Sequence, residues 1–161
     1  MAGGIPDQCW VAGLIACSTS PKAGFSSFRC SKLERITKAQ ARDRGLTIRL
    51  YVRNPIERLR SAWAMYAATN NHVDCPGAWP GIRAFIDQIL GGWCDPHWLP
   101  QMQLHEEFDE IYRLENIAET WPGDHIGHEN RATIAKPHID YRFDDLTKYY
   151  AADIAAHREA I

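Results

Sequence analysis

A chain of 161 residues, 45% apolar and 24% charged, is long enough to bury a core and too ordinary in composition for a disordered, fibrous or disulfide-scaffold protein. Its formal charge of −2 and pI of about 6.4 exclude a global pull toward nucleic acid or an anionic membrane, so a polyanionic ligand needs a local basic site. No repeat, low-complexity tract or linker-like stretch divides the chain, and residues 1–161 read as a single domain.

The opening "MAGGIPDQCWVAGLIAC" lacks a basic leader, and its apolar run is far shorter than the roughly 20 residues that span a bilayer. It predicts a buried strand over residues 9–17 that ends in Ser-Thr-Ser-Pro. Ser20-Pro21-Lys22-Ala23-Gly24-Phe25-Ser26-Ser27 follows as a loop with one lysine and two serines at a helix start. Backbone N–H groups at a helix N-terminus beside an ammonium form an anion site; an ordinary strand-to-helix turn is the alternative for this loop alone. The next helix is expected over residues 26–42, with Phe28, Leu33, Ile36 and Ala39 inward and Gly45 as its stop.

"LTIRLYV" (Leu46–Val52) reads as a strand. Asn54, Pro55 and Glu57 then have N-cap, first-turn and capping-box spacing for a helix whose buried stripe is Ile56, Leu59, Trp63 and Tyr66. Two strand–loop–helix units in succession predict an α/β fold with a parallel sheet. Farther on the sequence gives a loop, a short helix over Ile82–Leu90, the loop "GGWCDPHWLPQ", a strand near Glu110–Leu114, a long aperiodic connection through "WPGDHIGHENRATIAKP", and a helix over roughly Asp144–Arg158. Five cysteines without C-x-x-C spacing argue against zinc and fit reduced thiols in a cytoplasmic setting, with a Cys75–Cys94 bridge left open. For each of the six tryptophans core packing is the default, with a place along a cleft as the alternative for some.

Ligands of open α/β sheets sit at the carboxyl ends of the strands. There Arg53 could grip a phosphate bidentately and Ser61 could add a hydroxyl donor. Two anion sites on one edge suit a nucleoside bearing phosphates at both ends. The Walker pattern G-x-x-x-x-G-K-[ST] is absent, since lysine precedes glycine here, and so is G-x-G-x-x-G.

"SPKAGFSSF" followed by "RNPIERLRSAW" resembles the sulfotransferases that use 3′-phosphoadenosine 5′-phosphosulfate (PAPS), in particular their carbohydrate sulfotransferase branch. "HWLPQ" (His97–Gln101) and "GHENRAT" (Gly127–Thr133) are similar to later elements of that branch, and the four follow one another in family order over most of the chain. The resemblance implies a P-loop-like three-layer fold, a central parallel sheet flanked by helices. It also implies sulfuryl transfer from PAPS to a hydroxyl of a glycan or other small acceptor, without metal, leaving adenosine 3′,5′-bisphosphate. It assigns Lys22 to the 5′-phosphosulfate and the bridging oxygen of the breaking bond, with Ala23 and Gly24 in the same loop and Gly24 letting the backbone approach. Phe25, Ser26 and Ser27 would supply N–H and hydroxyl donors, Arg53 and Ser61 would hold the 3′-phosphate, and His128, Asn130 and Arg131 would lie in a closing loop.

The chain departs from the pattern in the short span of 28 residues between Gly24 and Arg53, which holds no histidine and no acidic residue before Glu34. The general base must then come from elsewhere, or catalysis is lost. His97, in the aromatic setting "WCDPHWLP", is the first candidate, against a purely structural histidine; His105 and His72 follow, and Glu115 reads as a structural contact. Arg58 reads as a solvated helix residue or a phosphate contact. The competing classes are a P-loop-like phosphate-transfer enzyme and a non-catalytic nucleotide-binding module. Residues 70–105 would supply the acceptor contacts.

Overall fold

The computed structural model describes residues 7–19, 32–69, 81–123 and 136–161, with side chains as far as Met65 in the second of these segments. In chain order the strands are β1 (Gln8–Ala12), β2 (Ile15–Thr19), β3 (Glu34–Thr37), β4 (Thr47–Val52) and β5 (Glu110–Arg113). The helices are α1 (Lys38–Asp43), α2 (Pro55–Thr69), α3 (Ile82–Leu90), α4 (Gln101–Leu104), α5 (Ile117–Thr120), α6 (Phe143–Tyr149) and α7 (Ala151–Glu159), with a 3₁₀ turn at Leu114–Asn116. The strands form one five-stranded sheet in the order β3-β1-β2-β4-β5.

The protein is therefore of mixed α/β type, and its sheet is mixed where a parallel one was expected. β2, β4 and β5 run parallel, but β1 runs antiparallel to both β2 and β3. The cause lies in the first apolar run. Expected as one strand over residues 9–17, it is a hairpin folded at Gly13-Leu14, with Ala12 opposite Ile15. Gly13 has φ +61°, and glycine at the first of two turn positions is the pattern of a type II′ hairpin. Leu14, at the tip, is 81% exposed.

The helix expected over residues 26–42 is also corrected over its described part. Glu34–Thr37 pair with β1 as a strand, and the helix begins only at Lys38. Thr37 Oγ1 accepts from the Gln40 amide at 3.1 Å, and Gln40 Oε1 accepts from the Thr37 amide at 2.9 Å. This T-x-x-Q capping box sets the boundary. Ile36 is buried as a strand residue, Ala39 is exposed rather than inward, and Ala41 takes the buried place. Gly45 does stop the helix, at φ +66°. Phe28 lies outside the described residues.

Both faces of the sheet are covered. On one, Cys9, Ala16, Ile36 and Ile48 pack with Ala41 and Leu46, while Leu50 and Val52 meet Ala160 and Met102. On the other, Trp10, Cys17, Tyr51 and Tyr112 pack against Leu33, Ile117 and Trp121. A further core joins α2, α3 and α6 through Leu59, Phe85, Ile86, Trp98, Leu146 and Tyr150. α3 spans the expected residues. The C-terminal helix is two helices meeting at Tyr150, not one. Trp10 and Trp98 are core residues, at 2% and 0% exposure. No helix among the described residues is long and apolar enough to cross a membrane.

Candidate functional site

Thr19 pairs in parallel with Tyr51, so β2 and β4 end side by side at the same edge of the sheet. Lys22, Ala23, Gly24, Phe25, Ser26 and Ser27 lie outside the described residues, as do His128, Asn130, Arg131 and His72. Arg53, Asn54, Ser61, His97, His105 and Glu115 are described.

Asn54 caps α2 as its sequence requires. Its Oδ1 accepts from the amides of Ile56 at 3.0 Å and Glu57 at 3.2 Å. The other half of the expected capping box is supplied from elsewhere. Glu57 turns to Arg60 at 2.5 Å, and the Asn54 amide donates to Glu115 Oε1 at 3.2 Å. Glu115 also meets His157 Nε2 at 3.1 Å. Burial raises the Glu115 carboxyl, but its own amide, His157 and the Asn54 amide outweigh that and hold it below the ordinary range.

Arg53 is held through its main chain. Its amide donates to Gln101 Oε1 at 3.1 Å, and its carbonyl accepts from Gln101 Nε2 at 2.8 Å. Gln101 is fully buried, and Asp153, 1% exposed, accepts from the Gln101 amide at 2.7 Å and the Met102 amide at 2.9 Å. The guanidinium is thus set in place without spending its own donors on the brace. Burial lowers its pKa, opposed by the carboxylates of Glu115 and Glu57. An arginine stays charged in a protein, and its desolvation strengthens its attraction for an anion.

Arg58 is neither a solvated residue nor a phosphate contact. It is completely buried, and its guanidinium donates to Leu99 O at 2.6 Å and Pro96 O at 2.5 Å. Tyr150 Oη donates to Trp98 O at 2.6 Å. The loop carrying His97 is therefore fastened at Pro96, Trp98 and Leu99. His97 itself is half-buried, with its amide 2.8 Å from Asp95 Oδ1 and its Nδ1 2.6 Å from the same oxygen. A carboxylate on Nδ1 fixes the tautomer that carries its lone pair on Nε2.

His105 lies against Ser18, near the end of β2. It is 2% exposed, its Nδ1 lies 3.4 Å from Ser18 Oγ, and Nε2 has no partner among the described residues. Burial, then Lys38 and Arg58, push its pKa down to about 3. Glu34, the first acidic residue in the short span before Arg53, lies on β3 in a salt bridge with Arg44 at 2.8 Å. Cys94 carries a free, exposed thiol. Among the described residues no His, Cys, Asp and Glu side chains gather into a metal-ligand set.

Sequence reasoning missed the Gln101–Asp153 brace and the loop fastening by Arg58; the HWLPQ and RNPIER elements marked the residues but not their contacts, whose partners are remote in sequence. Glu115, read as a structural contact, accepts from the Asn54 amide. Compared with known proteins, the chain matches no family model, no curated protein and no solved structure.

Proposed function

We propose that this protein is a PAPS-dependent sulfotransferase of P-loop-like fold that transfers the sulfuryl group to a hydroxyl of a carbohydrate or other small acceptor. One observation carries the reading: segments far apart in sequence that share the sulfotransferase resemblance touch one another at the carboxyl edge of the sheet. Gln101 of HWLPQ braces Arg53 of RNPIER, and Arg58 of the same element holds the carbonyls on either side of His97 and Trp98. An ordinary helix start has no need of that convergence.

In this reading Arg53 and Ser61 receive the 3′-phosphate, and Lys22 neutralises the bridging oxygen as the S–O bond of an in-line displacement breaks. His97, its Nδ1–H given to Asp95, takes the acceptor proton at Nε2, a role worth about 10²–10⁴-fold in rate. His105 is set aside as a base, because an imidazole this buried and this weakly basic has no path to a substrate proton.

The test is a binding panel followed by turnover. The protein should be stabilised against heat by adenosine 3′,5′-bisphosphate more than by AMP or ATP–Mg²⁺, since a ligand stabilises only the state it binds. Release of the bisphosphate from PAPS should then accelerate with sugar acceptors. Stabilisation by ATP–Mg²⁺ alone would replace this reading with phosphate transfer. Binding of the bisphosphate without turnover would leave a nucleotide-binding module.

A further inference from the structure

Two carboxylates are offered to the Asn54 amide, one by spacing and one by the fold. Glu57, three residues on, has the capping-box spacing to accept that amide. It is turned instead to Arg60 at 2.5 Å, and the amide donates to Glu115 Oε1 at 3.2 Å. Glu115 lies in the 3₁₀ turn after β5, and its other oxygen meets His157 Nε2 of α7 at 3.1 Å. The next amides are taken from within: Asn54 Oδ1 accepts those of Ile56 and Glu57, and Asn54 O accepts that of Arg58. A carboxylate from a distant segment thus sits at the positive end of a 15-residue helix, where an external anion is ordinarily received. The Glu115 side chain is 43% exposed against 17% for His157, so the carboxylate is the solvent-facing member of the pair. Burial works against its charge, but the amides and His157 around it hold it below the ordinary carboxylate range, and at neutral pH it is an anion.

We propose that Glu115 is a resident anion at the start of α2, an autoinhibitory contact that an incoming phosphate has to displace. A phosphate group brings about −1.5 to −2 charge at neutral pH, and a carboxylate already at the same helix end repels it. Displacement does not orphan the Asn54 amide, because Glu57 stands at capping-box spacing to take it over. The last helix therefore acts on this turn twice. Asp153 braces Arg53 through Gln101, and His157 presents Glu115 to Asn54. The first contact builds the turn, and the second keeps it closed to anions. The inference rests on the sulfotransferase reading only in naming the phosphate as that of a nucleotide; inorganic phosphate meets the same carboxylate.

Calorimetry on the full chain and on Glu115→Gln, with adenosine 3′,5′-bisphosphate, AMP and inorganic phosphate as probes, tests both ideas separately. Glutamine keeps an acceptor oxygen for the Asn54 amide and removes only the charge. Glu115→Gln should bind the bisphosphate and inorganic phosphate at least fivefold more tightly, and AMP as the wild type does. A carboxylate that merely held the turn would give the opposite sign, a loss of affinity. In the wild type, saturating inorganic phosphate should also shift the ring resonances of His157 as Glu115 leaves Nε2, a measurement that needs no variant. Equal or weaker phosphate binding by Glu115→Gln, or a bound phosphate that leaves the His157 ring unmoved, overturns the proposal while leaving the sulfotransferase reading standing. Tighter inorganic phosphate in Glu115→Gln, with neither protein responding to the bisphosphate, does the reverse. Indifference of both proteins to all three probes overturns both.

Discussion

The main chain of Arg53 is held by Gln101, through its amide and its carbonyl. If its guanidinium receives a 3′-phosphate, Arg53→Ala should weaken binding of adenosine 3′,5′-bisphosphate by about 2–4 kcal/mol and leave AMP nearly unaffected. Isothermal titration of both nucleotides decides it, and equal losses would remove Arg53 from the 3′-phosphate. His105 makes a second residue-scale prediction, about stability and acid. Its neutral form is favoured in the fold by burial and by Lys38 and Arg58, with Ser18 at its Nδ1, so its folded pKa near 3 lies below the ordinary value of 6.5. Between those two values the unfolded chain binds the extra proton, and stability therefore falls as pH drops from about 6.5 toward 3, by up to about 1.4 kcal/mol per pH unit from this group. Above pH 7 the group contributes no slope. His105→Gln should consequently lie below the wild type at pH 7 in urea midpoint, and the gap should close on acidification. Parallel curves for the two proteins down to pH 4 would show that His105 is not the group titrating.

At the scale of elements, the start of α2 and the His97 loop behave as one unit because Arg58 joins them. Replacing Arg58 with alanine leaves the Leu99 and Pro96 carbonyls without their donor and opens a void, a loss of about 2–5 kcal/mol. Arg58→Lys should recover little, since one ammonium cannot span two carbonyls as the guanidinium fork does. Chemical denaturation of both variants measures this, and a near-native Arg58→Lys would mean that charge alone holds the loop. What could be read from the chain follows the same division between local and remote contacts. Asn54-Pro55 marked α2, Gly45 marked the end of α1, and Ile82–Leu90 was periodic enough to delimit α3, because each signal is made and answered within a few residues. The hairpin at Gly13 was hidden inside a continuous apolar run, where a single glycine looks like part of a strand buried on both faces. β3 was hidden because Ile36 fits a helical period as well as an alternating one, and only its pairing with Cys9 decides. In the candidate site, the place of Arg53 at the end of β4 was legible, but its brace by Gln101 was not, since that depends on Asp153, which is distant in sequence.

For the molecule as a whole, the brace at Arg53 ties the middle of the sheet to the last helix. Asp153 accepts the amides of Gln101 and Met102, and Gln101 in turn closes on Arg53. Asp153→Ala should cost about 1–3 kcal/mol and, more tellingly, speed hydrogen exchange at the Arg53 amide on the far side of the brace. Exchange confined to the neighbourhood of α7, with Arg53 as protected as before, would show that the two ends are not coupled. The same chain of contacts has a meaning for synthesis. A polypeptide leaves the ribosome from its N-terminus, so β1, β2 and β4 can meet while the later part is still being made, whereas the turn at Arg53 has to wait for residue 153. A chain interrupted before residue 153 would own those three strands without the braced turn at Arg53. If that turn receives a nucleotide as proposed, binding would begin only once the helix carrying Asp153 had docked, and would report on that step.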